Sequence, residues 1–296
     1  MAFTKKLLEA TISLAPSGTN TQQPQFEGGG NTVTLSGLRM SAHVSKAGGP
    51  SDSTLDLTVY GMTESKMNQL STLGMQINLV PKNAIVLQAG DGDGLSTVFQ
   101  GYILSAYADF SGSPNVSFRI SAHTGLPDAT VPTPVSSIKG SGDVATLLSS
   151  LASTMGLSFE NSGVTAKLSN PYYTGSPKVQ ARAIAKDANI SMIIDNGKLA
   201  IWPKNGARNG SVPKISPETG MIGYPTYTAY GIMLKCLFNP SIGFGQKIQV
   251  ESRLKPACGE WAIYGMDYDL ESLVPDGKWE ITLMAYNPKY PTPVQR

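Results

Sequence analysis

GIMLKCLFNPSIGFGQKIQVES (residues 231–252), GEWAIYGMDYDLES (259–272) and GKWEITLMAYN (277–287) decide the fold class. Ile248 and Val250, then Ala262, Tyr264, Met266, Tyr268 and Leu270, then Trp279, Ile281, Leu283 and Ala285 recur at every second position. Successive side chains of a strand point to opposite faces, so this period reads as strands with one buried face. Asn239-Pro240 and Asp276-Gly277 supply turns between them. The stretch therefore predicts a small antiparallel barrel or curled sheet. It carries no recognisable reaction chemistry.

Working back toward the N-terminus, residues 16–31 read as a polar, turn-rich arm, and the GGG at 28–30 lacks the Gly-Lys-Ser/Thr that a phosphate loop needs. In TVTLSGLRMSAHVSK, Val33 and Leu35 share one parity while Leu38, Met40, Ala42 and Val44 share the other. A single strand with a bulge at Ser36-Gly37 accounts for the switch, because glycine accepts positive φ. Gly48 to Pro50 makes a turn into a strand with Leu55, Leu57 and Val59 inward, and TESKMNQLSTLG reads as a short helix capped by Thr63 and closed by Gly74. Strands follow at Met75–Leu79, Ile85–Leu87, Val98–Tyr107 and Val116–Ala122. GDGDG (90–94) resembles a fragment of a calcium loop, but the downstream glutamate ligand is missing, so it reads as a hairpin turn.

The period changes after the proline-punctuated linker LPDATVPTPVSS (126–137). Asp143 caps a helix with Val144, Leu147, Leu148, Leu151 and Met155 on one face and Gly156 just past its end. Ser176-Pro177 opens a second helix with Ala181, Ile184, Ala185 and Ala188 inward. Asn196-Gly197 then joins two strands as a type I′ hairpin. Residues 205–220 read as a loop. The chain thus divides into a first β-barrel domain with an N-terminal arm (1–137), an α+β module (138–210) and a second β-barrel domain (211–296).

Composition narrows the function classes. Glycine (31) and proline (20) make up about 17% of the 296 residues, against a typical ~12%, which favours many turns and short strands. Charged residues are 15%, well below the usual ~25%. The net charge of +2 is spread thinly, with no basic stripe of the kind that grips phosphates, so specific nucleic-acid binding is not expected. No run approaches the ~20 apolar residues of a membrane span, and MAFTKKLLEATISLAPSG is too short and polar for a secretory signal. Synthesis and folding in a cytoplasm are the expectation. Cys236 and Cys258 either face each other across strands or are free thiols, the latter fitting a reducing compartment. Neither has the histidine company of a metal site, and no metal or cofactor is expected.

Catalysis finds no support in the pattern. A serine triad would need His43 or His123, and neither lies near a nucleophile elbow. His43 sits on the polar parity of its strand, and Asp267, Asp269 and Glu271 alternate with Tyr268 and Leu270 as a solvated strand face. Tyr172-Tyr173, Tyr224, Tyr227 and Tyr230 have the chemistry to stack on sugars, but tyrosines in Pro/Gly-rich loops more often pack at barrel edges or interfaces.

The run LFNPSIGFGQKIQV (Leu237 to Val250), then a strand with an aromatic start at Trp261 and a final strand led by Trp279, resembles baseplate hub proteins of contractile-tailed, Mu-like bacteriophages. Asn239-Pro240, Ile242, Gly245 and Ile248 in that order are the most specific part, and Gly37, the bulge glycine, is the structural-motif residue of the first barrel. The family pattern often has a histidine in the penultimate strand; IYGMDYDLES has none, so no role for one is carried over. The resemblance implies two tail-tube-like antiparallel barrels flanking a small α+β module. It further implies a homotrimer whose six barrels form a ring, joining a hexameric tail tube to a central spike beside baseplate wedge proteins in the virion. The hub portion of a type VI secretion spike and a glycan- or peptidoglycan-binding module are the alternatives. On this reading His43→Gln and His123→Gln leave assembly and infectivity unchanged; normal assembly with lost infectivity would reveal a missed site.

Overall fold

The computed structural model describes residues 5–15, 25–26, 29–48, 51–71, 83–91, 94–125 and 133–289. The expected strand at Met75–Leu79, the closing Gly74 of the first helix, most of the arm and most of the linker lie outside them. The fold is mainly β, with three helices among the described residues. The chain forms two compact units. One holds residues 1–45, 53–126 and 268–279, the other 46–52, 127–267 and 280–296.

The first unit contains β1 (Leu7–Ser13), β2 (Thr32–Leu35), β3 (Met40–Ala47), β4 (Thr54–Tyr60), α1 (Glu64–Leu70), β5 (Ala84–Asp91), β6 (Gly94–Asp109) and β7 (Ser117–His123). Their order in the sheet is β3-β4-β7-β6-β5-β1-β2, all antiparallel where registers are defined. Alternation does what it predicts: Met40, Ala42 and Val44 of β3 and Leu55, Leu57 and Val59 of β4 are buried on one face. Asp91 at the end of β5 pairs with Gly94 at the start of β6; Gly92 and Asp93 of the GDGDG segment lie outside the described residues. Met67 and Leu70 of α1 are buried, but the helix stops at Ser71, whose backbone is extended.

One expectation is corrected here. The segment read as a single bulged strand is two strands, β2 and β3, at the two ends of the seven-strand run just given. Gly37, at φ +66°, turns the corner between them. Six inter-strand steps of ~4.8 Å would put those ends about 29 Å apart if the sheet were flat. The connection Ser36–Arg39 lets Leu35 and Met40 stand at most ~17 Å apart. The sheet is therefore strongly curled.

The second unit holds the α+β module. Its elements are β8 (Ser136–Ser137), β9 (Ser141–Asp143), α2 (Val144–Thr154), β10 (Ser158–Asn161), β11 (Lys167–Ser169), β12 (Tyr172–Tyr173), α3 (Pro177–Asp187), β13 (Ile190–Asp195) and β14 (Lys198–Pro203). Asp143 accepts hydrogen bonds from Thr146 N at 2.9 Å and Thr146 Oγ1 at 2.7 Å, which hold its carboxyl below the usual carboxylate range. Gly156, at φ +69°, ends α2 as read from sequence. Asn196 and Gly197 both have positive φ, as a type I′ turn requires. Val144, Leu148 and Leu151 of α2 pack with Ala181 and Ile184 of α3 over Leu199 and Ile201 of β14. β10 runs parallel to β14 and β13 antiparallel to it.

The same unit continues through β15 (Lys214–Ile215), β16 (Met221–Thr228), β17 (Gly231–Leu237), β18 (Lys247–Val250), β19 (Gly259–Ser272) and β20 (Trp279–Tyr286). Tyr268–Ser272 of β19 and Trp279 of β20 belong to the first unit. The order is β15-β18-β19-β20-β17-β16. Two segments differ from expectation. The loop at 205–220 contains β15, and Tyr224 and Tyr227 lie on strand β16 rather than in a loop. β15 and β16 stand at opposite ends of the order, yet a 3-10 turn (Pro217–Thr219) folds the chain back so that Met221 N donates to Ser216 O at 2.9 Å. This sheet too is curled end toward end. Among the described residues the ends meet through turns, not through a closing ladder.

Candidate functional site

Asn239, Pro240 and Gly245, which carry the most specific part of the sequence resemblance, lie in the loop before β18. Asn239 Oδ1 accepts from Ser241 N at 3.0 Å and Ser241 Oγ at 2.8 Å, an Asx turn that starts the loop, with Pro240 exposed at its bend. Gln246 closes it: its Oε1 accepts from Gly243 N at 3.1 Å and its carbonyl from Ile263 N at 3.0 Å. Inside, Phe244 is buried and meets Trp202 edge-on at 6.2 Å between centroids.

Gly245 sits where no other residue fits well. Its φ is +79°, and a Cβ would stand 2.9 Å from the Trp202 ring and 3.0 Å from Arg208 Cδ. Its carbonyl accepts from Arg208 N at 2.8 Å, and Phe244 O accepts from Arg208 Nη1 at 3.1 Å. The same guanidinium donates through Nε and Nη2 to both carboxylate oxygens of Glu160, each at 2.9 Å. Lys198 adds a bond to Glu160 Oε2 at 3.1 Å. Hydrogen bonds from Arg208, against some cost of burial, hold the Glu160 carboxyl down at about 2. One arginine thus ties the loop before β18 to β10 of the α+β module.

A second attachment comes from a strap, with Lys46 near the end of β3 and Asp52 before β4, which belong to the second unit. Buried Lys46 pairs with Asp195 at 2.9 Å, while Asp52 bonds buried Lys178 and, at 2.9 Å, Arg182. Between them Gly48 leaves room for the Phe244 ring, which would stand 2.9 Å from a Cβ there. The loop, the module and this strap therefore share a single packed and ion-paired centre.

Of the other residues singled out from sequence, Trp261 is buried in β19, opposite Ile248 of β18, and its Nε1 donates to Ala257 O at 2.9 Å. Gly37 and Trp279 lie in the first unit, where Lys6 Nζ stands 6.0 Å over the Trp279 ring. Cys236 and Cys258 are free; burial pushes the Cys236 thiol up to about 12. Cys258 Sγ donates to Ser252 O at 3.2 Å. His43 has a partner that the sequence did not show: its Nδ1 lies 2.9 Å from Asp269 Oδ1 on an exposed strand face. Glu271 accepts from Ser41 Oγ and Lys278 N. Among the described residues no three His, Cys, Asp or Glu side chains gather as a metal site, and no helix is long and apolar enough to cross a membrane. Glu160, Arg208, Lys46, Asp52, Lys178 and Asp195 were missed because each is an ordinary charge until the fold joins it to a partner dozens of residues away.

Two outcomes follow from this geometry. Gly245→Ala combines a strained φ with a clash against a rigid ring, and it is expected to lower stability by about 2–4 kcal/mol in urea unfolding. Glu160→Gln tests the ion pair by pH. The folded pKa lies below the unfolded value of 4.5, so the carboxylate's contribution is full above that value and fades as pH falls toward about 2. The stability gap between the wild type and Glu160→Gln should therefore close over that window; a gap independent of pH would show that the pair contributes nothing.

Comparison with known proteins gives the geometry its context. A search of curated protein sequences finds no match. In structure, the chain is similar to a 43 kDa tail protein of prophage MuSo2 from Shewanella oneidensis, with a TM-score of 0.62 at 8% identity and 97% of each chain covered. It is similar to a tail protein from Neisseria meningitidis MC58, with a TM-score of 0.59 at 10% identity, covering 94% of this chain and 96% of that one. It also resembles an E. coli component of the type VI secretion system, itself described as similar to the T4 bacteriophage tail proteins gp27 and gp5. That match has a TM-score of 0.57 at 10% identity, covering 96% of this chain and 79% of the other. At these identities the likeness is one of fold. The model of the family "Baseplate hub gp41" matches residues 23–277, and the chain belongs to that family, as a structural component of a phage baseplate.

Proposed function

We propose that the protein is the trimeric adaptor of a contractile phage tail, joining the hexameric tail tube to the central spike. The observation that carries this reading is that the chain holds two runs of mostly antiparallel strands, each curled so that a short connection joins the strands at its two ends. In chain order the proposed parts are a first barrel with its arm (1–137), a connecting α+β module (138–210) and a second barrel (211–296), with β19 lending its end to the first unit. Three such chains present six barrels, so a threefold object offers a near-sixfold rim to a tube while keeping threefold symmetry toward a spike. Closing the ring leaves no lateral surface unpartnered.

The low charge suits this role, since surfaces poor in ions approach one another without the cost of desolvating them. The ion pairs that do exist at the centre lie within one chain and need no partner. The neighbours of such a hub would be the tail tube protein, the spike and baseplate wedge proteins. The hub of a type VI secretion spike is the second reading, favoured by the likeness to a component of that system.

Stoichiometry in the intact particle tests the proposal. Cryo-electron microscopy or quantitative mass spectrometry of purified particles should find three copies on the tail axis. Six or more peripheral copies would make the protein a wedge or tube component instead.

A further inference from the structure

The hairpin β16–β17 is built unlike the other edges of the second unit. Its outward face and tip expose Ile222, Tyr224, Tyr227, Tyr230, Met233 and Leu237, each 39–59% accessible. The inward face is ordinary core, with Ile232, Leu234 and Cys236 buried. Across the ladder Ile222 faces Lys235 and Thr226 faces Met233, which sets them on the outward face, whereas Tyr227 faces buried Ile232 and belongs with Tyr230 to the tip. At ~200 Å² for a large side chain, about half exposed, six of them leave on the order of 600 Å² of open, mostly apolar surface. That is the upper end of what a lone soluble protein displays, and most of the ~800 Å² that each partner brings to a standard interface.

The charge on this face is already satisfied. Lys235 pairs with Glu280 at 3.0 Å, leaving its aliphatic stem on the surface. Tyrosine and methionine with few charges make the composition of an interface core. The strand's backbone edge, by contrast, is spoiled for pairing. The register breaks between Ile222 and Thr226, Gly223 takes φ +71°, and Pro225 has no N–H to give. An added strand would find a broken ladder, whereas side chains packing on the face need no ladder.

We propose that the outward face and tip of the β16–β17 hairpin is where a second copy of this chain docks, through side chains and not by strand addition. The occupant is another copy because the area matches half of a stable interface, and because an apolar face without free charge asks for no complementary charge on a foreign partner. The inference rests on the assembly of like copies proposed above, since each chain of a closed ring needs a large lateral face on both sides.

The test uses the full chain. Tyr224→Glu and Met233→Glu each place a charge on an exposed position of the outward face, so folding should be retained, which the thermal midpoint checks. Self-association by native mass spectrometry or sedimentation should weaken by ~10-fold or more for each. In the wild type, hydroxyl-radical footprinting should show Tyr224, Tyr227 and Tyr230 protected in the associated form relative to the dilute monomer; this arm stands even if a variant fails to fold. Unchanged association, or tyrosines equally reactive in both states, overturns the assignment and leaves the adaptor reading intact. Protection that appears only in whole particles means that another tail component covers the face, and likewise overturns it. Failure of the adaptor reading itself would show separately, as a copy number in the particle other than three.

Discussion

The guanidinium of Arg208 is the constraint on which the second unit depends. It fixes both oxygens of Glu160 on β10, holds the carbonyl of Phe244, and through its backbone N–H holds Gly245. A buried ion pair seldom adds much net stability, because desolvation offsets the attraction. What it adds here is geometry: a planar fork with five donors accepts only a narrow set of partner positions. The loop before β18 is thereby set against the module, and Trp202 and Phe244 pack edge to face beside it. Gly245 is the backbone counterpart of that choice, since the space for its Cβ is already taken.

The strap at residues 46–52 repeats the device. It is anchored at both ends, by Lys46 of β3 pairing with Asp195 and by Asp52 pairing with Lys178. Buried lysines are tolerated only when paired, so these contacts select one docking position among many apolar alternatives. A hub that passes load between neighbours would gain from such fixed joints. Part of the sparse charge of the chain thus orients parts, and little of it lies on the hairpin face proposed to meet another copy.

Both curled sheets depend on where short connections fall. Antiparallel strands twist, and a twisted sheet of six or seven strands readily bends toward closure. Ser36–Arg39 and Ser216–Gly220 each join strands from opposite ends of their sheets, which commits each sheet to curl. The first turn rests on the positive φ of Gly37. The second rests on a 3-10 turn whose Ser216 and Thr219 satisfy each other's backbone and side chain.

The sequence by itself determined what depends on neighbours a few residues apart. Period-two alternation placed β4, β7 and β18–β20, the 3.6 period with Asp143 and Ser176 placed α2 and α3, and Asn196-Gly197 placed a hairpin. The motif Asn239–Gly245 pointed to the loop at the centre of the second unit and to the family. Only the tertiary structure decided what those elements meet. It split Val33–Val44 into strands at opposite ends of a sheet, because parity records which face is buried but not which strand is adjacent. It put Tyr224 and Tyr227 on a strand whose outward apolar residues conceal any alternation. It paired His43 with Asp269 across 226 positions and Glu160 with Arg208 across 48. A charge carries no mark of its partner in the linear chain; the pairing exists only once the packing of apolar faces has brought the two ends together.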